Sequence, residues 1–173
     1  MTSKAYVSLG SNLGDRAGNL LLAVRGMLDA DFVVTRLSQI YQTEPVETFP
    51  QPLFLNMVAE FSVNDLSAED ALGRLLEIEA ALGRTRELAK SPRTIDLDLL
   101  FYGDQTSDTS RLQLPHPRLH ERRFVLVPLA DLAPGLIHPT LNKTVAELLE
   151  SVPDHSRVEL WKPLTTETRR TQR

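Results

Sequence analysis

The stretch Pro92-Arg93-Thr94-Ile95-Asp96-Leu97-Asp98-Leu99-Leu100 sets two carboxylates two residues apart inside an apolar run. Along a β-strand, side chains at i and i+2 leave the same face. Asp96 and Asp98 therefore share one face, and Ile95, Leu97 and Leu99 are expected to point into a core. Two carboxylates side by side on a half-buried strand are costly without cationic compensation. Mg²⁺ suits that role, because it takes carboxylate and water oxygens and completes its shell with substrate phosphates. A carboxylate pair can also bridge two such ions, roughly 4 Å apart. A second reading stays open: a solvated strand edge with each aspartate paired to an arginine.

Basic residues flank this strand on both sides. Arg84, Arg86, Lys90 and Arg93 precede the aspartates, and Arg111, Arg118, Arg122 and Arg123 follow them. The loop 84–93 is expected to close over a ligand, its guanidinium forks clamping phosphate oxygens. Arg118 and Arg123 are expected to be bystanders. The 173-residue chain nevertheless carries a net charge of −4, with acidic residues predominating up to residue 83. A local anion trap on an acidic protein suits a small polyanion better than a long nucleic-acid duplex.

The rest of the chain supplies a scaffold. Residues 5–10 read as a strand, 11–15 as turn and cap, and a helix with Leu20, Val24, Met27 and Leu28 on its apolar side follows. Residues 32–42 read as one long strand, and the proline-bearing stretch 44–52 as a loop. Phe54 to Val63 is the next strand. Ser67, with Asp70, opens a helix to about Leu82 that buries Ala71, Leu72, Leu75, Leu76, Ile78 and Leu82, and Gly83 ends it. The aspartate strand runs to Tyr102, an extended segment covers 111–118, and helices are predicted over Leu119–Leu132 and Thr144–Ser151. One domain is expected over 1–163, with a mobile polar tail at 164–173. The order strand–helix–strand–strand–helix–strand predicts an α+β, ferredoxin-like fold with an antiparallel or mixed sheet flanked by helices.

Composition narrows the function. Cysteine is absent, so thiol nucleophiles, disulfides and cysteine-based zinc sites are excluded. No apolar leader or membrane-length run is present, so a cytoplasmic location is the default expectation. Gly10-Ser11-Asn12-Leu13-Gly14 lacks the Gly-Lys-Ser/Thr of a Walker loop and reads as a tight strand-to-helix turn. Neither a G-x-S-x-G elbow nor an H-E-x-x-H motif occurs. His116, stiffened between two prolines, is either a structural histidine or a phosphate or nucleotide contact. Phe54, Asn56 and Phe124 could grip a flat heterocycle, although core packing is the simpler account of both rings.

Assembled in order, these segments resemble the 6-hydroxymethyl-7,8-dihydropterin pyrophosphokinases of folate biosynthesis. The resemblance runs from about Ala5 to about Leu149. It rests on Gly10-Ser11-Asn12-Leu13-Gly14, Tyr41-x-Thr43-x-Pro45, Gln51-Pro52-x-Phe54-Leu55-Asn56 and Ile78-Glu79-x-x-Leu82-Gly83-Arg84-x-Arg86. It continues through Pro92 to Asp98, Leu114-Pro115-His116-Pro117 and Arg122-x-Phe124-x-Leu126-x-Pro128-Leu129. The resemblance implies a ferredoxin-like fold and transfer of the β,γ-diphosphate of ATP to the pterin hydroxymethyl group, leaving AMP. It implies two Mg²⁺ ions on Asp96 and Asp98, and catalytic roles for Arg84, Arg93 and Asp98. ATP would be bound by Glu79, Arg84, Arg86, Arg93, Arg111, His116, Arg122 and the backbone near Leu99. The pterin would be held by Thr43, Val46, Asn56, Phe54 and Phe124, the two rings stacking on its faces. The chain departs from the family pattern at Leu76, where a glutamine can contact ATP, and at Gln113, where a threonine can. Its 84–93 loop is one residue shorter and has no tryptophan.

These implications describe a monomer acting on small molecules, with no nucleic-acid or membrane partner. Two other classes compete. One is a different Mg²⁺-dependent nucleotide enzyme, such as a nucleotidyltransferase or nuclease. The other is a non-catalytic RNA-binding module, which normally exposes strand aromatics on a basic sheet; this chain is acidic and 6% aromatic.

Overall fold

The computed structural model describes residues 3–46, 50–84 and 91–163. In chain order its elements are β1 (Lys4–Ser11), α1 (Arg16–Asp29), β2 (Val33–Leu37), β3 (Tyr41–Thr43), β4 (Phe54–Ser62), α2 (Ala68–Ala81), β5 (Asp96–Tyr102), β6 (Ser107–Asp108), β7 (Gln113–Leu114), α3 (Arg123–Leu132), α4 (Val145–Glu150) and β8 (Val158–Leu160). A 3-10 turn, Leu119–Glu121, precedes α3. The expected tail 164–173 lies outside the described residues.

The main sheet runs β5-β1-β4-β3-β8, with β2 also on β4, and all of its pairings are antiparallel. Period-2 alternation divides its residues between two cores. Val7 and Leu9 of β1, Leu55 and Met57 of β4, and Leu97 and Leu99 of β5 pack with Leu20, Met27, Leu75 and Ile78 of α1 and α2. On the opposite side Tyr6, Val58 and Leu100 pack with Leu126 and Leu129 of α3 and Val145 and Leu148 of α4. Each fully buried Leu or Ile here contributes roughly 1.5–3 kcal/mol by leaving water. A register shift between Tyr6 and Val7 puts Phe101 beside Leu100 in the second core, while Tyr102 returns to the first.

The helix signals act as predicted. Asp15 caps α1 through the Gly18 N–H at 3.0 Å, and Ser67 caps α2 through the Asp70 N–H at 3.1 Å. Gly83 stops the chain after α2 with φ +79°. Several boundaries differ from expectation. The strand over 32–42 is broken into β2 and β3. At the break Ser38 donates its N–H to the Val58 carbonyl and accepts the Val58 N–H on its hydroxyl, so a side chain replaces one ladder rung. The helix over 119–132 is interrupted at Arg122, whose backbone is extended. Leu28 and Leu76 are 51% and 42% exposed, one position outside the buried stripes of α1 and α2. The segment β8, which pairs with β3, was not anticipated. Its Val-Glu-Leu is too short for alternation to mark it.

Candidate active site

Helices α3 and α4 cover only part of their side of the sheet. At the uncovered end, side chains of β4, β1 and β5 line up by register. Gly10 lies between Asn56 and Asp96, and Ser8 between Val58 and Asp98. Two small residues on the central strand thus form a low floor, and the functional side chains rise from the strands on either side. A Cβ on Gly10 would stand 2.6 Å from Asn56 Oδ1, so any larger residue there displaces that side chain. The Gly-Ser-Asn stretch is therefore more than the tight turn its sequence suggests.

Two hollows open from this floor. The first, of about 460 Å³, is lined by Thr43, Val46, Phe54, Asn56, Phe124 and Arg122 among others, and reaches Arg93, Asp96 and Asp98. Asn56 is buried and donates from Nδ2 to Thr43 Oγ1 at 2.6 Å. Phe54 and Phe124 are only half-buried, each beside a guanidinium. Arg93 Cζ lies 6.0 Å from the Phe54 centroid and Arg122 Cζ 5.8 Å from that of Phe124. The second hollow, of about 480 Å³, runs between α2, β5 and the segment after β7. Glu79, Arg84, Leu99, Arg111 and His116 line it, as do Leu76 and Gln113, the two positions that depart from the family pattern. Among the described residues, Asp96 and Asp98 alone line both hollows.

The charges around the pair are unequal. Asp96 is gripped from two sides, by Arg84 on Oδ1 and by Arg93 on Oδ2 at 2.9 Å. The arginine pairing expected for a solvated strand edge is thus present at Asp96. Arg84 also pairs with Glu79, and Glu79 Oε1 accepts the Leu97 N–H at 2.7 Å, tying α2 to the start of β5. Burial opposes the charge on Arg84, but Asp96 and Glu79 outweigh it and hold the guanidinium protonated. Asp98 forms no ion pair among the described residues. Burial and the neighbouring Asp96 push its carboxyl well above the usual carboxylate range. The negative charge at Asp98 is under-compensated, which is the condition that invites a divalent cation. Among the described residues no three metal-binding side chains cluster, so any ion here would need oxygens from water or substrate.

His116 is held neutral: burial and the nearby Arg122 lower it to about 4. Its Nδ1 accepts the Arg118 N–H at 3.2 Å, leaving the Nε2 proton to donate to a ligand. Arg118, expected to be a bystander, lines the first hollow and pairs with Glu121. Arg86 and Lys90 lie outside the described residues.

One residue escaped the sequence reading. Asn12 is 1% exposed and joins the two loops that flank the site. Its Nδ2 donates to Gln51 Oε1 at 2.8 Å and to the Pro52 carbonyl at 3.2 Å. Its Oδ1 accepts the Arg93 N–H at 2.8 Å. The signal available was an asparagine directly after a strand, which reads first as turn chemistry.

A model of the family described as 7,8-dihydro-6-hydroxymethylpterin-pyrophosphokinase matches residues 6–134. The 2-amino-4-hydroxy-6-hydroxymethyldihydropteridine pyrophosphokinase of Bacillus subtilis is 39% identical over 163 residues, covering 94% of this chain and 92% of that protein. The protein of the same name from Synechocystis is 42% identical, covering 86% of this chain and 75% of its own length. The folic acid synthesis protein fol1 of Pneumocystis carinii is 40% identical, but this chain spans only 20% of it. In fold, the chain resembles a Plasmodium falciparum HPPK-DHPS structure with a TM-score of 0.68 at 15% identity, over 87% of this chain and 43% of that one. Among the described residues, no helix is long and apolar enough to cross a membrane.

Proposed function

The chain belongs to the 7,8-dihydro-6-hydroxymethylpterin-pyrophosphokinase family, and on that premise we propose how its two hollows divide the work of the pyrophosphokinase step of folate biosynthesis. The β,γ-diphosphate of ATP moves to the hydroxymethyl oxygen of 6-hydroxymethyl-7,8-dihydropterin, and AMP leaves. The observation that carries this reading is the meeting of two hollows on a single carboxylate pair.

The first hollow takes the pterin. Phe54 and Phe124 stack on its faces, the Asn56–Thr43 pair reads its polar edge, and Val46 closes the side. The second takes ATP, with adenine against the backbone near Leu99 and phosphates toward Arg84, Arg93, Arg111, His116 and Arg122. Glu79 serves the nucleotide and anchors Arg84. Arg86 joins this set on its sequence position alone.

Asp96 and Asp98 fit two Mg²⁺ ions, since they are hard oxygen donors on one face and the charge at Asp98 is under-compensated. When bound, the ions supply charge neutralisation on the phosphates and acidify the acceptor hydroxyl. The hydroxyl oxygen attacks Pβ in line. The bond from Pβ to the oxygen bridging Pα breaks, AMP keeps that oxygen, and the hydroxyl proton passes to Asp98. Arg84 and Arg93 steady the charge that builds on the transferring group.

The same reading assigns the ferredoxin-like fold, supported by two split βαβ units whose strands follow the order β5-β1-β4-β3. It takes residues 1–163 as one catalytic unit with 164–173 as a tail, acting as a cytoplasmic monomer on small molecules. The test is nucleotide analysis after incubation with ATP, Mg²⁺ and 6-hydroxymethyl-7,8-dihydropterin. AMP formed only when the pterin is present supports the assignment. Pterin-independent AMP, or ADP as the product, overturns it.

A further inference from the structure

The structure assigns Asp154 as a positioning residue for the acceptor pocket, through the start of α3; this rests on the pterin assignment above. Helix α3 begins without a local cap, because Arg122 stands at the N-cap and offers no side-chain acceptor. The first turn of a helix leaves N–H groups unpaired. Here one is satisfied from far along the chain: Asp154 Oδ2 accepts the Arg123 N–H at 2.9 Å. The other oxygen, Oδ1, accepts the Ser156 N–H at 2.8 Å, so the carboxylate is fixed at both ends. The residues on either side of Arg123 are Arg122 and Phe124, and both line the first hollow.

The same segment reaches the opposite wall. Pro153 and Asp154 line the hollow themselves. Four residues on, β8 pairs Val158 with Thr43. Between them the Glu44 N–H donates to the Arg157 carbonyl at 3.3 Å, and Glu44 Oε2 accepts the Arg157 N–H at 3.1 Å. Residues 153–160 therefore brace α3 against β3. They hold Phe124 at one side of the cavity and the Thr43–Asn56 pair at the other. This brace lies beyond residue 134, where the matching family model ends.

Both oxygens of Asp154 accept here, and asparagine offers a single acceptor oxygen, so Asp154→Asn can still cap the Arg123 N–H but then loses the Ser156 N–H. Three variants of the full chain separate the possibilities: Asp154→Asn, Asp154→Glu and Asp154→Ala. Each is compared with wild type for KM of both substrates, kcat, pterin affinity by titration calorimetry and melting temperature. Asp154→Asn, which keeps one of the two bonds, is expected to raise the pterin KM only about two- to threefold. Asp154→Ala is expected to raise it about tenfold, and Asp154→Glu, whose carboxylate is displaced by one methylene, by several-fold. KM for ATP should change less than KM for the pterin in both.

Equal loss in Asp154→Asn and Asp154→Ala would mean that a retained acceptor for the Arg123 N–H does not support the pocket, and the inference falls. A lowered melting temperature with unchanged pterin KM would make Asp154 merely structural, and it falls again. If Asp154→Ala does not fold, the contrast between Asp154→Asn and Asp154→Glu decides. A wild-type chain that neither binds nor converts the pterin defeats the underlying assignment and this inference with it. An active wild type with unaffected variants defeats this inference alone.

Discussion

Asn12 and Arg93 are joined by a reciprocal pair of hydrogen bonds: the Arg93 N–H donates to Asn12 Oδ1 at 2.8 Å, and the Asn12 N–H donates to the Arg93 carbonyl at 3.2 Å. The link runs from the end of β1 to the loop before β5, and it fixes the backbone from which the Arg93 guanidinium reaches Asp96. Asn12→Ala should lower kcat by about tenfold or more, and the buried groups left unpaired should cost about 1–3 kcal/mol of stability. Steady-state kinetics and urea unfolding on the same preparation check both. Wild-type kcat in the variant would show that the loop is positioned by other means.

Arg93 itself acts on the transferring phosphates in this reading. Arg93→Ala should reduce kcat by about 10²–10³-fold, the range seen when one preorganised donor to transition-state charge is removed. KM for ATP should move much less. An unchanged kcat removes Arg93 from the chemistry.

Asp96→Ala and Asp98→Asn should each abolish turnover while the circular dichroism of the fold persists. For Asp98 the structure adds a second expectation. Asparagine there removes a half-buried carboxyl set beside Asp96, so without divalent metal the melting temperature should rise rather than fall. A calorimetric scan in chelator checks it.

Gly10→Ala places a methyl group where Asn56 Oδ1 now lies, 2.6 Å from the new Cβ. Asn56 must turn away and its bond to Thr43 is lost. KM for the pterin should rise at least several-fold with KM for ATP nearly constant. Equal KM values in variant and wild type would show that the floor has room to spare.

Away from the site, Glu60 is buried among Arg36, Thr35 and Tyr6, and Arg36 leads in drawing its carboxyl down to about 2 from 4.5. A lowered carboxylate pKa stabilises the fold fully above the unfolded value and loses that stabilisation as pH falls through the folded one. The window is therefore from about pH 5 down to about pH 2, and the amount at stake is on the order of 3 kcal/mol. Glu60→Gln should be less stable than wild type at pH 7, with the difference shrinking through that window. Parallel curves for the two proteins would contradict it.

What the chain announced in advance was mostly periodic. Alternation placed Leu97 and Leu99 in a core and Asp96 and Asp98 on the other face, and cap chemistry at Asp15 and Ser67 marked two helix starts. The residues that failed are those whose role depends on a distant partner. Ser38 breaks a strand because its hydroxyl finds Val58. Arg122 breaks a helix that apolar spacing carries straight through. Asp154 sits in a stretch with no periodicity, and only folding brings it to Arg123. The candidate site was legible residue by residue at Asp96, Asp98, Arg84 and Arg93, whereas Arg118, expected to be a bystander, lines the first hollow. The floor of the site was not legible, because Gly10 and Ser8 matter through what they leave open.

At the start of the seven-residue strand β5, the core under α1 and α2 and the candidate site occupy opposite faces. Adding or deleting one residue between Asp96 and Asp98 would split the pair, turning one carboxylate toward the leucines of α2 and a leucine onto the site face. Substitutions here can be graded, but a change of length is all or nothing. Variation in segment length, natural or engineered, should therefore stop at the ends of this strand.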